Sequence, residues 1–224
     1  MLGLPETAAG VPRAMRERVL GLLLAQHEKT AALARQLLEA AVATQPDDAS
    51  ATLYLGDLAT TEELREAHYR RALLLAPAWS YARYRLAGYL LDHDRPDEAL
   101  EFTSGHADES VELMELHGRA LLFVGRYDEA AATYARAIEL TDAPPSWLCY
   151  YKWLAEDNAG LHETAAATAR QAAQRFANDP SWHVQLATSL ANLGQYDEAL
   201  QVAAQGQAAG LEELGALEIA YTVA

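Results

Sequence analysis

Gly125-Arg126-Tyr127-Asp128-Glu129-Ala130 returns almost unchanged as Gly194-Gln195-Tyr196-Asp197-Glu198-Ala199. Looser copies stand at Asp94-Arg95-Pro96-Asp97-Glu98-Ala99 and Gly160-Leu161-His162-Glu163-Thr164-Ala165. Glycine suits the left-handed residue that closes a helix, and paired acidic residues suit the first turn of the next one, where the helix dipole favours negative charge. The stretch therefore reads as helix stop, tight turn, helix start, and carries no catalytic signature. Its alanines Ala99, Ala130, Ala165 and Ala199 are separated by 31, 35 and 34 residues, and Ala34 precedes Ala99 by 65. A second marker runs in phase: Pro77-Ala78-Trp79, Pro145-Ser146-Trp147 and Pro180-Ser181-Trp182 each open a helix.

Outward from the motif the chain divides into about six helix pairs. Leu113, Leu116, Ala120, Leu121 and Val124 fall at offsets of 0, 3, 7, 8 and 11, one stripe of an amphipathic helix; Ala130, Tyr134, Ala137 and Ile138 form a second at 0, 4, 7 and 8. The same reading predicts helices over Arg13–His27 and Thr30–Thr44, then Asp48–Ala59 and Glu62–Ala76, with Thr60 and Glu63 at capping-box spacing. The third pair is predicted over Ser80–Asp92 and Pro96–Thr103, the fifth over Ser146–Asn158 and Glu163–Phe176, the sixth over Ser181–Leu193 and Tyr196–Gln207. Residues 1–11 read as a loose N-terminal arm, residues 12–224 as a single helical-repeat domain, and 211–224 as a terminal helix.

Of the 224 residues 51% are apolar, and 32 acidic against 17 basic side chains give a net charge of −15. Such a chain is repelled by phosphate backbones and anionic lipid, which argues against nucleic-acid and membrane partners and for a protein partner of basic or mixed charge. Cys149 is the lone cysteine, so no disulfide or Cys-Cys metal site forms within the chain. Val19 to Ala25 is apolar almost throughout but far too short to span a bilayer, and a cytoplasmic protein is expected. No His spacing resembles a metal site, and Asp92-His93-Asp94 falls where a helix ends and reads as a solvated turn. No phosphate-binding loop, nucleophile elbow or positioned Cys–His pair is present in the sequence; no enzyme, cofactor or metal is expected.

In register, the chain resembles the tetratricopeptide repeat family, whose helix-turn-helix unit is about 34 residues long with Leu-Gly in its first helix and Gly-x-Tyr at its turn. Residues 111–142 match through Gly118, Gly125, Tyr127, Ala130, Tyr134 and Ala137; residues 180–211 through Trp182, Leu186-Ala187, Gly194, Tyr196 and Ala199. Residues 49–77 match through Leu55-Gly56, Tyr69, Ala72 and Pro77. Departures are Pro96 in place of the turn tyrosine and Trp153-Leu154-Ala155, which stands too close to Gly160 for the pattern. The resemblance implies an all-α, right-handed superhelical solenoid of antiparallel helix pairs. It further implies a non-enzymatic scaffold that binds a protein or peptide along the concave groove lined by the first helices.

Carried over position by position, that groove comprises Tyr54, Asp57, Tyr81, Tyr84, Arg85, Glu112, Glu115, Arg119, Tyr150, Tyr151, Gln185 and Asn192. Tyrosine combines a broad ring with a hydroxyl at little entropic cost, which suits recognition. The basic clamp of lysines and asparagines by which some family members hold C-terminal carboxylates is absent: the lining offers Arg85 and Arg119, with Glu112 and Glu115 nearby. The alternative expectation is self-association, or a regulatory repeat region of a larger protein. It rests on the apolar last segment, Leu214, Leu217, Ile219, Ala220, Tyr221 and Val223, because solenoids normally end in a polar cap.

Overall fold

In the computed structural model, residues 13–210 are described, and every regular element among them is helical. The expected N-terminal arm and the expected terminal helix at 211–224, with the self-association assigned to it, lie outside the described residues. The chain forms two compact units that meet in sequence between Asp94 and Arg95, inside the third helix pair.

The first unit contains α1 (Arg13–Leu24), α2 (Ala31–Thr44), α3 (Ala49–Asp57), α4 (Glu62–Leu75) and α5 (Ser80–Asp92). Each helix packs on the next, and α1 also reaches α3. The predicted first helix stops three residues early, at Leu24, and a single 3-10 turn, Glu28–Thr30, leads into α2. The Thr30 hydroxyl holds that turn by donating to the Leu24 carbonyl at 2.7 Å. Asp48 caps α3 by accepting from the Ala51 N–H at 3.0 Å. The α4 cap corrects the sequence: Thr61, not Thr60, accepts from the Leu64 N–H, at 3.3 Å. Two adjacent threonines offered the same chemistry, and the extended backbone of Thr61 makes it the residue that turns into the helix. Leu38, Ala51 and Leu55 form a core cluster, with Leu22, Val42, Tyr54 and Leu58 packed around it.

The second unit contains α6 (Pro96–Thr103), α7 (Val111–Phe123), α8 (Tyr127–Glu139), α9 (Ser146–Asn158), α10 (His162–Arg175), α11 (Trp182–Asn192) and α12 (Tyr196–Ala208). Again each helix packs on its successor. The recurring turn has one geometry. At Gly125 φ is +77°, and at the equivalent Gly160 and Gly194 it is +76° and +74°. The following N–H reaches back across the turn each time: Arg126 to Leu121 O, Leu161 to Glu156 O and Gln195 to Leu190 O, all at 2.9 Å. This six-to-one bond satisfies a carbonyl that the helix end would otherwise leave open. Arg126 then grips Glu129 with two bonds of 2.7 and 2.6 Å, which closes the first turn of α8.

Small residues set the spacing within pairs. A Cβ placed on Gly118 would lie 2.6 Å from Cζ of Tyr134, whose ring is fully buried. Ala130 and Ala137, on the same face of α8, have no exposed surface. In the fifth pair the sizes are exchanged. Gly160 follows Trp153 by the seven residues that separate Gly118 from Gly125, so Trp153 occupies the glycine position and Ala169 that of Tyr134. Both are buried in one core cluster with Ala165, Ala166 and Trp182. The apparent irregularity around Trp153 is therefore an exchange of large and small across a normal pair, and Nε1 of Trp153 donates to Ser189 of α11 at 2.9 Å.

Candidate functional site

In the first unit, the residues singled out on α3 and α5 come together as a network. Arg85 lies four residues after Tyr81 on α5 and so projects from the same face, toward α3 and α4. Its Nη1 donates to Oδ2 of Asp57 and its Nη2 reaches Oδ1, both at 2.7 Å. Nη2 also donates to the Tyr69 hydroxyl at 2.8 Å, and that hydroxyl donates onward to Oδ1 of Asp57 at 2.7 Å. A longer bond of 3.3 Å ties Nη1 to the hydroxyl of Tyr81. The guanidinium stands 5.3 Å from the Tyr69 ring centre and 5.9 Å from that of Tyr81. Burial alone would lower the Arg85 pKa, but the Asp57 carboxylate and the Tyr81 hydroxyl more than reverse it, and the net shift is upward. Burial likewise raises Tyr69, reinforced by its bond to Asp57.

The network holds an aromatic surface. Tyr81, 40% exposed, stacks on Tyr84 with ring centres 6.1 Å apart and planes inclined by 19°. Trp79 flanks Tyr81 at 6.1 Å. Tyr54 departs from the expected picture in part, since it is half-buried against the Leu38 cluster; burial, then Tyr81 and Asp57, raise its pKa. Beside the network is a cavity of about 320 Å³, bordered by Asp57, Tyr69, Tyr84, Arg85, Tyr89 and His93 among others. His93 stacks on Tyr89 at 4.1 Å, and its Nδ1 donates to the Tyr89 carbonyl at 2.8 Å. Among the described residues no group of three His, Cys, Asp or Glu side chains is placed to hold a metal.

In the second unit the expected residues are spread along α7, α9 and α11. Glu112 is exposed, and Glu115 pairs with Arg119 at 3.6 Å. Tyr151 stacks on the buried Tyr134 at 5.6 Å and 14°, so this tyrosine bridges pairs as well as facing outward. Tyr150, 37% exposed, meets Tyr151 edge-on at 5.8 Å and Trp153 at 5.6 Å. Gln185 is half-buried, with an Oε1 that has no hydrogen-bond partner. Asn192 donates to Asp157 at 3.2 Å, and Asp157 also meets Nδ1 of His162 at 3.0 Å.

Sequence reasoning missed three things here. Phe123 lies one turn beyond Arg119 and is 61% exposed, and Trp147 precedes Tyr150 by one turn and is 46% exposed. The i, i+4 and i, i+3 spacings were available as the signal. The third is a buried link in which Lys152 donates to Glu156 at 2.5 Å and to Thr168 at 2.6 Å, while Thr168 donates to the second Glu156 oxygen at 2.6 Å. Thr168 lies 16 residues from Lys152, and no local pattern announces it.

The sequence profile of the tetratricopeptide repeat family matches residues 18–64, from within α1 through α3, and 115–148, from within α7 through α8. Over these two segments the chain matches tetratricopeptide repeats. Solved tetratricopeptide repeat structures share the fold. YrrB, described as a TPR protein with an unusual peptide-binding site, superposes with a TM-score of 0.71 at 17% identity over 82% of this chain and 97% of its own. Pseudomonas aeruginosa pilF gives 0.66 at 18% identity, covering 93% and 97%. MamA from Desulfovibrio magneticus RS-1 gives 0.63 at 15% identity, covering 72% and 94%. No curated protein matches the sequence. Among the described residues no helix is long and apolar enough to cross a membrane.

Proposed function

We propose that this tetratricopeptide repeat protein is a non-enzymatic cytoplasmic scaffold that binds a peptide or protein segment along the surface of its first helices. These are α3 and α5 in one unit and α7, α9 and α11 in the other. The observation that carries the reading is the Tyr81–Tyr84 stack, held by Arg85, which is in turn fixed by Asp57 and Tyr69. A rigid amphipathic ring surface loses little freedom on binding, so more of its contact energy appears as affinity. Exposed Trp147 and Tyr150 offer the same chemistry on α9. Charges that would suit catalysis are engaged within the fold: Arg85–Asp57 ties α5 to α3, and Lys152–Glu156 on α9 is bridged to α10 by Thr168. A protein partner suits the tetratricopeptide repeat fold in general, and the peptide-binding site of YrrB is a precedent for a peptide ligand on this architecture.

Photo-crosslinking tests the reading. A photoreactive phenylalanine analogue at Tyr81 or at Tyr150 should trap one set of partners from host extract, and the same analogue at exposed Glu139 on second helix α8 should not. Equal labelling from all three positions would count against binding along the first helices.

A further inference from the structure

We propose that the cavity beside the C-terminal ends of α7 and α9 is an anchor pocket for one large apolar side chain of a partner segment that carries lysine or arginine next to it. The proposal deepens the scaffold reading and rests on it. The cavity measures about 290 Å³. Ligand pockets start at about 300 Å³, so this one has the size for a single side chain rather than a cofactor. Its walls are apolar and aromatic, Leu122, Phe123, Tyr127, Tyr151 and Leu154, with Arg119 and Asn158 at the polar edge. Phe123 is left 61% exposed although the chain folds around it, and an aromatic ring so placed gains most from being covered. The opposite wall is rigid, because the Tyr151 ring is stacked on buried Tyr134.

Charge selects the neighbours of the anchor. Helices α7, α9 and α11 carry four carboxylates, Glu112, Glu115, Glu156 and Asp157, and two cations, Arg119 and Lys152. Four minus two leaves an excess of two negative charges, with histidine neutral. Both cations are already paired, Arg119 with Glu115 and Lys152 with Glu156. A cationic segment is therefore attracted to this surface and an anionic one repelled.

Short Gly/Ser peptides with a central Leu, Phe, Trp, Ala or Glu, flanked by Lys or by Glu, test the pocket by fluorescence anisotropy on the full chain. The Lys-flanked Leu, Phe and Trp peptides should bind at least about tenfold more tightly than the Ala-centred one, the worth of burying one large apolar side chain. Phe123→Ala and Leu154→Asn should each remove that preference while leaving the helical circular dichroism unchanged. Glu112→Lys should reduce the advantage of Lys flanks and spare the preference for an apolar centre. Peptide binding without apolar selectivity, or selectivity that survives both pocket substitutions, overturns the pocket and leaves the scaffold reading standing. Absence of any peptide binding, together with equal crosslinking from Tyr81, Tyr150 and Glu139, overturns both. A concentration-dependent dimer abolished by Phe123→Ala would assign the pocket to a second copy and also overturn the proposal.

Discussion

Asp94 holds φ at +54°, the left-handed backbone that Gly125, Gly160 and Gly194 adopt at the equivalent turns. An aspartate tolerates that conformation better than most side chains but still at a cost. Asp94→Gly should therefore leave stability unchanged or raise it by up to about 1 kcal/mol, read as a higher melting temperature. The reverse change, Gly125→Ala, should cost about 1 kcal/mol. No atom lies within 4 Å of the added Cβ, so the loss would be one of backbone conformation and not of packing. His117 makes a second prediction at this scale. Thr103 already donates to the Ala99 carbonyl, so Nδ1 of His117 donates to Thr103, at 2.9 Å. Burial, followed by Arg126, lowers the His117 pKa below its ordinary 6.5. The unfolded chain then binds more protons than the folded one, so stability falls as pH drops below 6.5 and levels off below the folded pKa. Denaturant midpoints of wild type and His117→Asn, compared between neutral and mildly acidic pH, should show a shallower acid slope for the variant.

Among the elements, the α7–α8 and α9–α10 pairs solve one packing problem in opposite ways. Gly118 against Tyr134 becomes Trp153 against Ala169, and the bulk moves to the other helix. Gly118→Trp alone should prevent folding, Tyr134→Ala alone should cost about 3–5 kcal/mol, and the double variant should recover part of the loss. Additive losses in that double-mutant cycle would refute the exchange. Ala130→Leu should cost about 1–3 kcal/mol by overpacking the α7–α8 contact, seen as a lower melting temperature. The helices themselves were readable because capping, breakers and apolar stripes agree locally: α5 and α6 have the predicted limits, Ser80–Asp92 and Pro96–Thr103. The register of the fifth pair was not, because a Leu-Ala dipeptide at 154–155 imitates the small-residue position that Trp153 in fact occupies. Only the Gly160 turn, with its bond from Leu161 to Glu156, fixes the frame.

At the scale of the whole molecule, net charge and repeat architecture act together. A chain of charge −15 should steer a cationic segment over distance, so association should slow roughly tenfold or more as ionic strength rises from low to physiological salt, with dissociation much less affected. Stopped-flow kinetics with a Lys-flanked peptide would measure it. The candidate surface was legible as a set of positions, because first-helix residues recur at a fixed period. Its internal bonds were not. Asp57 and Arg85 are 28 residues apart, and nothing local joins them. Tyr69 enters the same network from α4, a second helix where no lining residue was sought.

The exchanged pair at Trp153 also limits how the chain can go wrong. Helix pairs built alike could trade places during folding, or pass between two molecules as swapped segments. Were α7 to settle on α10, Gly118 would meet Ala169 and leave a void. Were α9 to take the place of α7 within the pair with α8, the indole of Trp153 would collide with the phenol of Tyr134. Each mistaken partner is penalised by shape alone, so neighbouring repeats of similar sequence remain non-interchangeable.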